Sequence, residues 1–286
     1  MTRIVYVNGG YRPYAQAAVH VEDRGFQFAD AIYEVIEVRN GGLVDAPRHL
    51  ARLARSLKEL AIPAPMSDAA LRHIIHQVIQ RNRVRDGIVY MQVSRGAGPR
   101  DFALPSPDTP PTLVVLARAQ RRGWAAELAE TGIAVKITPD NRWARCDIKT
   151  VMLLPAVLAK DEARRAGARE AWFVDAAGNV TEGASSNAWI VTPNGILVTH
   201  PLDHQILPGV TRATVMDVAK GEGVKIEQRT FTREEVLNAR EAFVTSATNI
   251  VMPVVKIDGA AIGDGRPGPL ARQLRLRFHQ VAEFSA

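Results

Sequence analysis

The chain has 286 residues, of which 47% are hydrophobic and 23% charged, so it can bury a substantial core and is long enough for two domains of ordinary size. No apolar stretch reaches the roughly 18 residues that a membrane-spanning helix needs, and a single cysteine excludes an intramolecular disulfide. With no secretory or transit pattern at the start of the sequence, we expect a cytoplasmic protein that needs no membrane partner.

The net charge of +6 raises nucleic acid as a partner. The densest basic groups, at residues 81–85, 121–122 and 164–165, lie far apart in the sequence and lack interleaved aromatic residues. Scattered charges of this kind are typical of solvated faces. We therefore expect no nucleic-acid partner, and the lack of a Cys/His cluster predicts no structural zinc.

The first third of the chain mixes strand and helix signals. Short apolar or alternating runs predict strands at residues 4–7 and 18–21 around the turn Asn8-Gly9-Gly10, and another strand at 32–38. From Pro47, leucines recur at three- and four-residue intervals, which predicts a helix that ends before Pro63. A second helix is predicted after Ser67 and Asp68, either of which is a suitable N-cap.

Strands are predicted next at residues 87–94 and 112–117. We predict that residues 1–119 form a small N-terminal α+β domain. The basic, poorly periodic stretch 118–124 is the predicted connection to a larger C-terminal domain, residues 120–286.

The second domain is predicted to have a core of mixed strands. Strands are expected at 133–137, 170–174, 187–191, 196–199, 224–230, 242–246 and 251–257, and helices at 153–166, ending at Gly167, and at 210–222. The order is a mixed α/β, or α+β, arrangement. It lacks the regular strand-helix alternation of a doubly wound sheet.

Lys149 is the most informative residue of the sequence. It is one of only seven lysines, and it directly precedes an uncharged run from Thr150 to Ala159. Such a lysine usually lays its stem on the core and keeps its ammonium group in water. The alternative is an amine that forms a Schiff base with a carbonyl compound.

Glu182 follows in Thr181-Glu182-Gly183, a sequence typical of a turn, where a carboxylate is normally solvated. A reactive amine together with a buried carboxylate that keeps a pyridine nitrogen protonated is the minimum equipment of a pyridoxal-phosphate enzyme. Lys149 and Glu182 therefore suggest this chemistry as a hypothesis.

A pyridoxal-phosphate enzyme also needs to hold a phosphate dianion, for which a guanidinium and a helix N-terminus are suited. In the segment 207–212, Gly209 precedes a predicted helix whose first residues, Val210 and Thr211, supply backbone N–H groups. Ordinary helix capping explains this pattern equally well. A polar turn at 245–249 offers further donors, and Arg52 lies next to the apolar stripe of its helix.

Together these segments resemble the fold-type IV pyridoxal-phosphate aminotransferases, most closely those that act on D-amino acids. The resemblance extends over nearly the whole chain and rests on seven short motifs that occur in the family's order, at residues 22–34, 49–53, 95–100, 142–149, 181–187, 207–212 and 243–246. It implies the fold of that class, with the cofactor anchored by the larger domain and the site at the interface between the domains.

The resemblance also implies a role for each matched residue. Lys149 would form the Schiff base with pyridoxal phosphate and carry the substrate proton, and Glu182 would pair with the ring nitrogen. Arg142 would orient Tyr33 or the surroundings of the ring. The phosphate would be bound by Arg52, Val210, Thr211, Ser246 and Ala247.

The substrate carboxylate would be held by Tyr33 and Arg100, with Arg100 contributed across a homodimer interface. Two positions depart from the family pattern. Phe102 stands where relatives often have a histidine that helps to hold the carboxylate, and phenylalanine cannot donate a hydrogen bond. Ala247 stands where relatives commonly have threonine, although its backbone N–H is retained.

The expected activity is transamination between a D-amino acid, D-alanine or D-glutamate, and a 2-oxo acid, in two half-reactions. Three other activities on the same fold stay open because of Phe102: a branched-chain L-amino-acid aminotransferase, an aminodeoxychorismate lyase and an (R)-selective amine transaminase. A binding protein without turnover is the remaining alternative from another functional class.

Overall fold

The computed structural model describes residues 3–285, which divide into two compact units. The first unit comprises the chain up to Arg122, the short segment Ile148–Met152 and the chain from Glu283 onward. The second comprises Gly123–Asp147 and Leu153–Ala282. Within residues 3–285, every helix is too short or too polar to cross a bilayer.

The first unit is built on an antiparallel sheet. In chain order its elements are β1 (Ile4–Val7), β2 (Gly10–Pro13), α1 (Arg24–Phe28), β3 (Ala31–Arg39), β4 (Gly42–Val44), α2 (Ala46–Glu59), α3 (Asp68–Arg81), β5 (Gly87–Ser94) and β6 (Thr112–Ala119). The strands lie in the order β4-β3-β5-β6-β1-β2. The predicted strands at 4–7, 32–38, 87–94 and 112–117 are confirmed.

Both predicted helices of the first unit are present. Ser67 caps α3, since its Oγ accepts a hydrogen bond from Ala70 N at 3.3 Å. The predicted strand at 18–21 is wrong, because Val19 and Val21 are exposed and the segment pairs with no other strand described here. Apolar residues alone therefore did not bring this stretch into the sheet.

The second unit has a larger, mixed sheet. Its elements are α4 (Trp124–Thr131), β7 (Ile133–Pro139), α5 (Leu154–Arg165), β8 (Glu170–Val174), β9 (Val180–Gly183), β10 (Asn187–Val191), β11 (Leu197–Thr199), α6 (Val210–Gly221), β12 (Ile226–Gln228), α7 (Arg233–Leu237), β13 (Glu241–Ser246), β14 (Ile250–Ile257), β15 (Ala260–Ala261) and α8 (Pro269–Val281). The strand order is β12-β11-β10-β13-β14-β7-β8-β9, with β15 paired to β14.

Parallel pairs in this sheet are β11 with β12, β14 with β7 and β7 with β8, while the other pairs are antiparallel. Its core is aromatic and aliphatic: Trp189 stacks on Phe243 with centroids 5.5 Å apart, and Trp172 meets Phe231 edge-on at 6.5 Å. Strands β8 and β10 are buried along almost their whole length, which explains why they read as continuous apolar runs. The predicted mixed α and β order is confirmed.

Sequence patterns missed several elements of the second unit. Helix α4 starts at Trp124, inside the stretch expected to be a connection, and α8 was not predicted. Gly268 and Pro269 mark the start of α8, and Glu241 accepts hydrogen bonds from Leu270 N and Ala271 N at 3.1 and 3.0 Å. This helix is therefore capped by a carboxylate on a distant strand, which local sequence does not show.

The chain returns twice to the first unit. A last strand, β16 (Phe284–Ser285), pairs with β4 and extends the first sheet. The segment Ile148–Met152 lies against β3 and carries Lys149. The most informative residue of the sequence therefore belongs to the first unit, although it lies well beyond residue 119.

Candidate active site

Backbone hydrogen bonds hold Lys149 beside strand β3. Tyr33 N donates to Lys149 O at 3.0 Å, and Val151 N donates to Ala31 O at 3.0 Å. Lys149 N donates to Ser56 Oγ of α2 at 3.4 Å. Lys149 is thus fixed on both sides, by a strand and by a helix of the same unit.

The amine of Lys149 lies over an aromatic ring. Its Nζ is 4.2 Å from the ring centroid of Tyr33, and Tyr33 stacks on Tyr90 of β5 at 5.8 Å. Burial, with a smaller contribution from Tyr33, raises the pKa of Tyr90 to about 12. The amine therefore lies against the ring of Tyr33, and a ring face attracts its positive charge.

The apolar run that follows Lys149 does not form a core around it. Most of the side chains from Met152 to Leu158 are exposed, including Leu154, Val157 and Leu158 at 66%, 57% and 58%. The apolar run therefore does not enclose Lys149. Tyr33 and Ser56, which are remote in sequence, make the surroundings of Lys149.

Arg52 forms a buried ion pair within the first unit. Its Nε and Nη2 donate to the two carboxylate oxygens of Glu34, each at 2.7 Å, and His49 Nδ1 lies 2.8 Å from Glu34 Oε2. Burial raises the pKa of Glu34, but the charge and hydrogen bonds of Arg52, helped by His49, outweigh it and hold that pKa at about 2. The guanidinium of Arg52 therefore has a fixed orientation.

Glu182 lies in strand β9 and is buried, 5% exposed, so the expectation of a turn is wrong at this residue. The turn falls just after it, where Gly183 N donates to Ser186 O at 2.7 Å. Thr-Glu-Gly is typical of a turn, but pairing with β8 draws it into the sheet.

Three donors meet the carboxylate of Glu182. Arg142 Nη1 donates to Oε1, while Asn187 Nδ2 and Leu207 N donate to Oε2 at 3.0 and 3.1 Å. Hydrogen bonds to the ionised form favour it. Arg142 thus contacts the carboxylate that the resemblance pairs with a ring nitrogen.

Arg142 is itself anchored by Asp140, whose carboxylate accepts from Nε at 2.9 Å and from Nη2 at 2.7 Å. Burial lowers the pKa of Arg142, but the hydrogen bonds and charges of Asp140 and Glu182 raise it well above its ordinary value. Arg142 therefore stays charged and contributes a fixed positive charge beside Glu182.

The N-terminus of α6 fits an anion. Val210 and Thr211 are buried, Gly209 has no side chain to cap the helix, and the first turn holds no acidic residue. The first N–H groups of a helix have no partner within it, and the helix dipole favours negative charge there. This is the property that the sequence predicted for Val210 and Thr211.

The next residue, Arg212, anchors this helix end. Its Nη2 donates to His200 O and to Gln228 Oε1, both at 2.9 Å, and its guanidinium lies 5.7 Å from the ring of Trp189. Burial lowers the pKa of Arg212 to about 10, although the negative charge of Glu182 acts to raise that pKa.

Ser246 and Ala247 begin the turn between β13 and β14. Ser246 Oγ accepts from Asn249 N at 3.2 Å, and Arg275 of α8 donates to Asn249 O and Val251 O. Ile250 closes the turn with φ at 60°, a conformation that is rare for a β-branched residue. Packing from α8 and the sheet thus keeps this turn in a strained shape, as is common at ligand-binding sites.

Arg100 is exposed on the loop between β5 and β6. Its guanidinium lies 5.2 Å from the ring of Phe28 and 5.7 Å from that of Phe102, which is itself 81% exposed. Arg24 holds this loop, since its Nη1 donates to Asp101 O at 2.8 Å. Tyr33 and Lys149 are brought together by the fold of the first unit, whereas Arg100 extends from its surface.

Sequence analysis missed several supporting residues, among them Glu34, His49 and Asn187. Glu34 carried a usable signal, because it occupies the same inward-facing positions of β3 as Ile32 and Ile36. A carboxylate on the apolar face of a strand needs a buried partner. Asn187 carried no comparable signal, since no local pattern links it to Glu182 or to Leu207, which lies 20 residues away.

The model of the amino-transferase class IV family matches residues 31–257 of the chain. Among curated proteins, the D-alanine aminotransferase of Bacillus licheniformis is 38% identical over 271 residues, 95% of this chain and 94% of the relative. The D-alanine aminotransferase of Staphylococcus haemolyticus is 37% identical over 279 residues, 98% of each chain.

Solved structures of similar fold include branched-chain amino acid aminotransferases. The Escherichia coli enzyme superposes with a TM-score of 0.90 at 25% identity, covering 98% of this chain and 95% of that one. The T.th. enzyme with pyridoxamine 5'-phosphate superposes with a TM-score of 0.88 at 26% identity, covering 98% and 94%.

Proposed function

Because this chain belongs to the amino-transferase class IV family, we propose that it is a pyridoxal-phosphate enzyme that transfers the amino group of a D-amino acid to a 2-oxo acid. Similarity over almost the full length to D-alanine aminotransferases supports the D configuration, with D-alanine or D-glutamate as donor. The similarity covers nearly the whole length of those enzymes rather than a single motif.

One observation carries the choice of cofactor. Within the second unit, the chain holds a buried carboxylate with three donors, Glu182, and a helix N-terminus suited to an anion at Val210. A protonated ring nitrogen and a phosphate are the two groups of pyridoxal phosphate that this pair would bind. The donor set therefore fits the cofactor that the T.th. structure contains in its amine form.

Pyridoxal phosphate, when bound, supplies an electron sink for the electrons released as a substrate α-proton leaves. Lys149 Nζ is the amine that would bind the cofactor and then accept and return that proton. Tyr33 orients the amine from 4.2 Å. Glu182 would pair with the protonated ring nitrogen, and Arg142 fixes the position of its carboxylate.

The phosphate would be bound by N–H groups of Val210 and Thr211, with Ser246 and Ala247 of the β13–β14 turn as further donors. Arg52 would supply a guanidinium whose direction Glu34 sets. Ala247 contributes only a backbone N–H, so the lack of a threonine hydroxyl should weaken phosphate binding modestly.

We assign Tyr33 and Arg100 to the substrate carboxylate. Phe102 cannot donate a hydrogen bond, so at this loop the carboxylate would depend on the guanidinium of Arg100. The branched-chain aminotransferases of similar fold make L-leucine the second candidate donor, and Phe102 favours it as a more apolar neighbour. We expect a cytoplasmic enzyme.

A homodimer is the assembly we propose, with Arg100 acting across its interface. The exposed apolar residues of α5, Leu154, Val157 and Leu158, form a patch of the kind that soluble proteins cover with a partner. Light scattering at micromolar concentration should give twice the mass of the chain, and the mass of one chain would contradict the proposal.

Replacing the reactive amine tests the function itself. Lys149→Ala should reduce turnover of D-alanine with 2-oxoglutarate by at least about 10⁴-fold, because nucleophile and proton carrier are lost together. Lys220→Ala, which removes an exposed amine at the end of α6, is the matched control and should leave turnover unchanged. Borohydride treatment should attach the cofactor to the peptide that contains Lys149. Turnover near the wild-type rate in Lys149→Ala would contradict the assignment.

The donor is identified by single half-reactions. Mixing the enzyme with D-alanine, D-glutamate, L-leucine or (R)-phenylethylamine should change the visible absorbance of the bound cofactor only with the two D-amino acids. A response to L-leucine alone would replace the D-amino-acid assignment with the branched-chain one.

A further inference from the structure

Asn187, the first residue of β10, connects Glu182 with the loop that precedes α6 in the second unit. Its side chain is buried, and its Nδ2 donates to Glu182 Oε2 at 3.0 Å and to Leu207 O at 2.9 Å. An amide nitrogen has two hydrogens, so both are used. One amide therefore binds the ring-side carboxylate and the loop that leads into α6.

The loop before α6 also contacts Glu182 directly, because the backbone Leu207 N donates to Glu182 Oε2 at 3.1 Å. Strand β9, strand β10 and the loop before α6 thus share three hydrogen bonds at one point. Two of the three end on the same carboxylate oxygen, so Asn187 and Leu207 together fix the position of that oxygen.

Gly209 supports this arrangement from the other side. Its φ of −64° and ψ of 132° are open to any residue, so backbone conformation does not require glycine here. A β-carbon at this position would instead overlap Oδ1 of Asn187. The chain needs glycine at 209 because the Asn187 amide lies directly against its backbone.

We infer that Asn187 is a positioning residue that fixes the distance between Glu182 and the N-terminus of α6. This inference rests on the proposed function, in which these two groups bind the ring nitrogen and the phosphate of one cofactor molecule. Two groups held at the right separation bind both ends of a ligand far more tightly than either end alone. Asn187 would supply that fixed separation through its hydrogen bonds to Glu182 and Leu207.

The test compares the whole cofactor with its parts. For wild type and Asn187→Ala, binding to the cofactor-free protein is measured with pyridoxal phosphate, with inorganic phosphate and with pyridoxal. We expect Asn187→Ala to weaken pyridoxal phosphate binding by at least about 10-fold and phosphate binding by less than about 3-fold, because the helix N-terminus persists while the separation is no longer fixed. Asn179→Ala, which removes a peripheral amide, is the control and should change neither.

Gly209→Ala provides a second, independent variant. It displaces the Asn187 amide without removing it, so it should also weaken pyridoxal phosphate binding more than phosphate binding. In the double variant Asn187→Ala/Gly209→Ala the added methyl group has no amide to displace, so the losses should be far from additive. If Asn187→Ala does not fold, the Gly209→Ala comparison of whole cofactor and phosphate decides.

Equal weakening of pyridoxal phosphate and phosphate, or additive losses in the double variant, would overturn the inference, since Asn187 would then only support α6. Unchanged pyridoxal phosphate binding would overturn it as well. Failure of the wild-type protein to bind pyridoxal phosphate would instead contradict the proposed function. The two failures are therefore distinguished by the wild-type measurement.

Discussion

Each unit buries a carboxylate against an arginine, but the residue assigned to the ligand has the opposite charge in the two pairs. In the first unit, Glu34 is held at 2.7 Å by both Nε and Nη2 of Arg52, and the arginine is the group assigned to the ligand. In the second unit, Arg142 holds Glu182, and the carboxylate is the group assigned to the ligand. The supporting residue is thus the carboxylate in the first unit and the arginine in the second.

This difference in roles explains why each unit contains a buried arginine–carboxylate pair. A phosphate needs a cation with a fixed direction, and Glu34 fixes it. In the proposed function a protonated ring nitrogen would need a carboxylate, and Arg142, which Asp140 anchors, donates a hydrogen bond to that of Glu182. Removing the supporting member should therefore affect folding first, and removing the functional member should affect activity first.

Glu34→Gln should produce the largest effect on stability. It leaves Arg52 charged and buried without its bidentate partner, which should lower the free energy of unfolding by about 3–5 kcal/mol. Chemical denaturation at neutral pH measures this loss. Glu37→Gln, a half-buried carboxylate on the same strand, is the matched control and should cost less than about 1 kcal/mol. Equal losses in both variants would show that the Glu34–Arg52 pair has no special weight.

Glu182→Gln should instead reduce turnover, by about 10²–10³-fold, because a neutral amide does not keep the ring nitrogen protonated. Its stability loss should be smaller than that of Glu34→Gln, since Arg142 retains Asp140. Steady-state and half-reaction rates measure the effect. Glu241→Gln, which removes the buried carboxylate that caps α8, is the control and should lower stability while turnover persists. Full turnover in Glu182→Gln would reverse the roles given to the two pairs.

Acid should distinguish the two pairs by a smaller effect, which is on the pH dependence of stability. The pKa of Glu34 falls from 4.5 in the unfolded chain to about 2 in the fold, so its contribution to stability is fully present above pH 4.5 and is lost as the pH falls towards 2. In wild type this loss contributes a slope of at most about 1.4 kcal/mol per pH unit. Glu34→Gln should lack that part of the slope, while the contribution of Asp140, whose pKa is also lowered, remains. Denaturation curves at several pH values from 5 to 2 give the slopes, and identical slopes in wild type and Glu34→Gln would contradict the assigned pKa.

Local sequence determined much of the scaffold. Alternation predicted β3, leucine spacing predicted α2, and Ser67 was one of the two candidate caps of α3. These signals depend only on residues that are close together in the sequence. The scarcity of lysines singled out Lys149, and motif order indicated the family. These conclusions needed no knowledge of long-range contacts.

Tertiary structure decided the surroundings of each functional group. It placed Glu182 in a strand rather than a turn, exposed the apolar run after Lys149 and brought Asn187 to Leu207 and Glu182. The physical reason is that burial and hydrogen-bond partners arise between different elements, such as Asn187 and Leu207, which are 20 residues apart, where no periodic pattern links them. Residue type suggested which groups could act, and packing determined what each of them contacts.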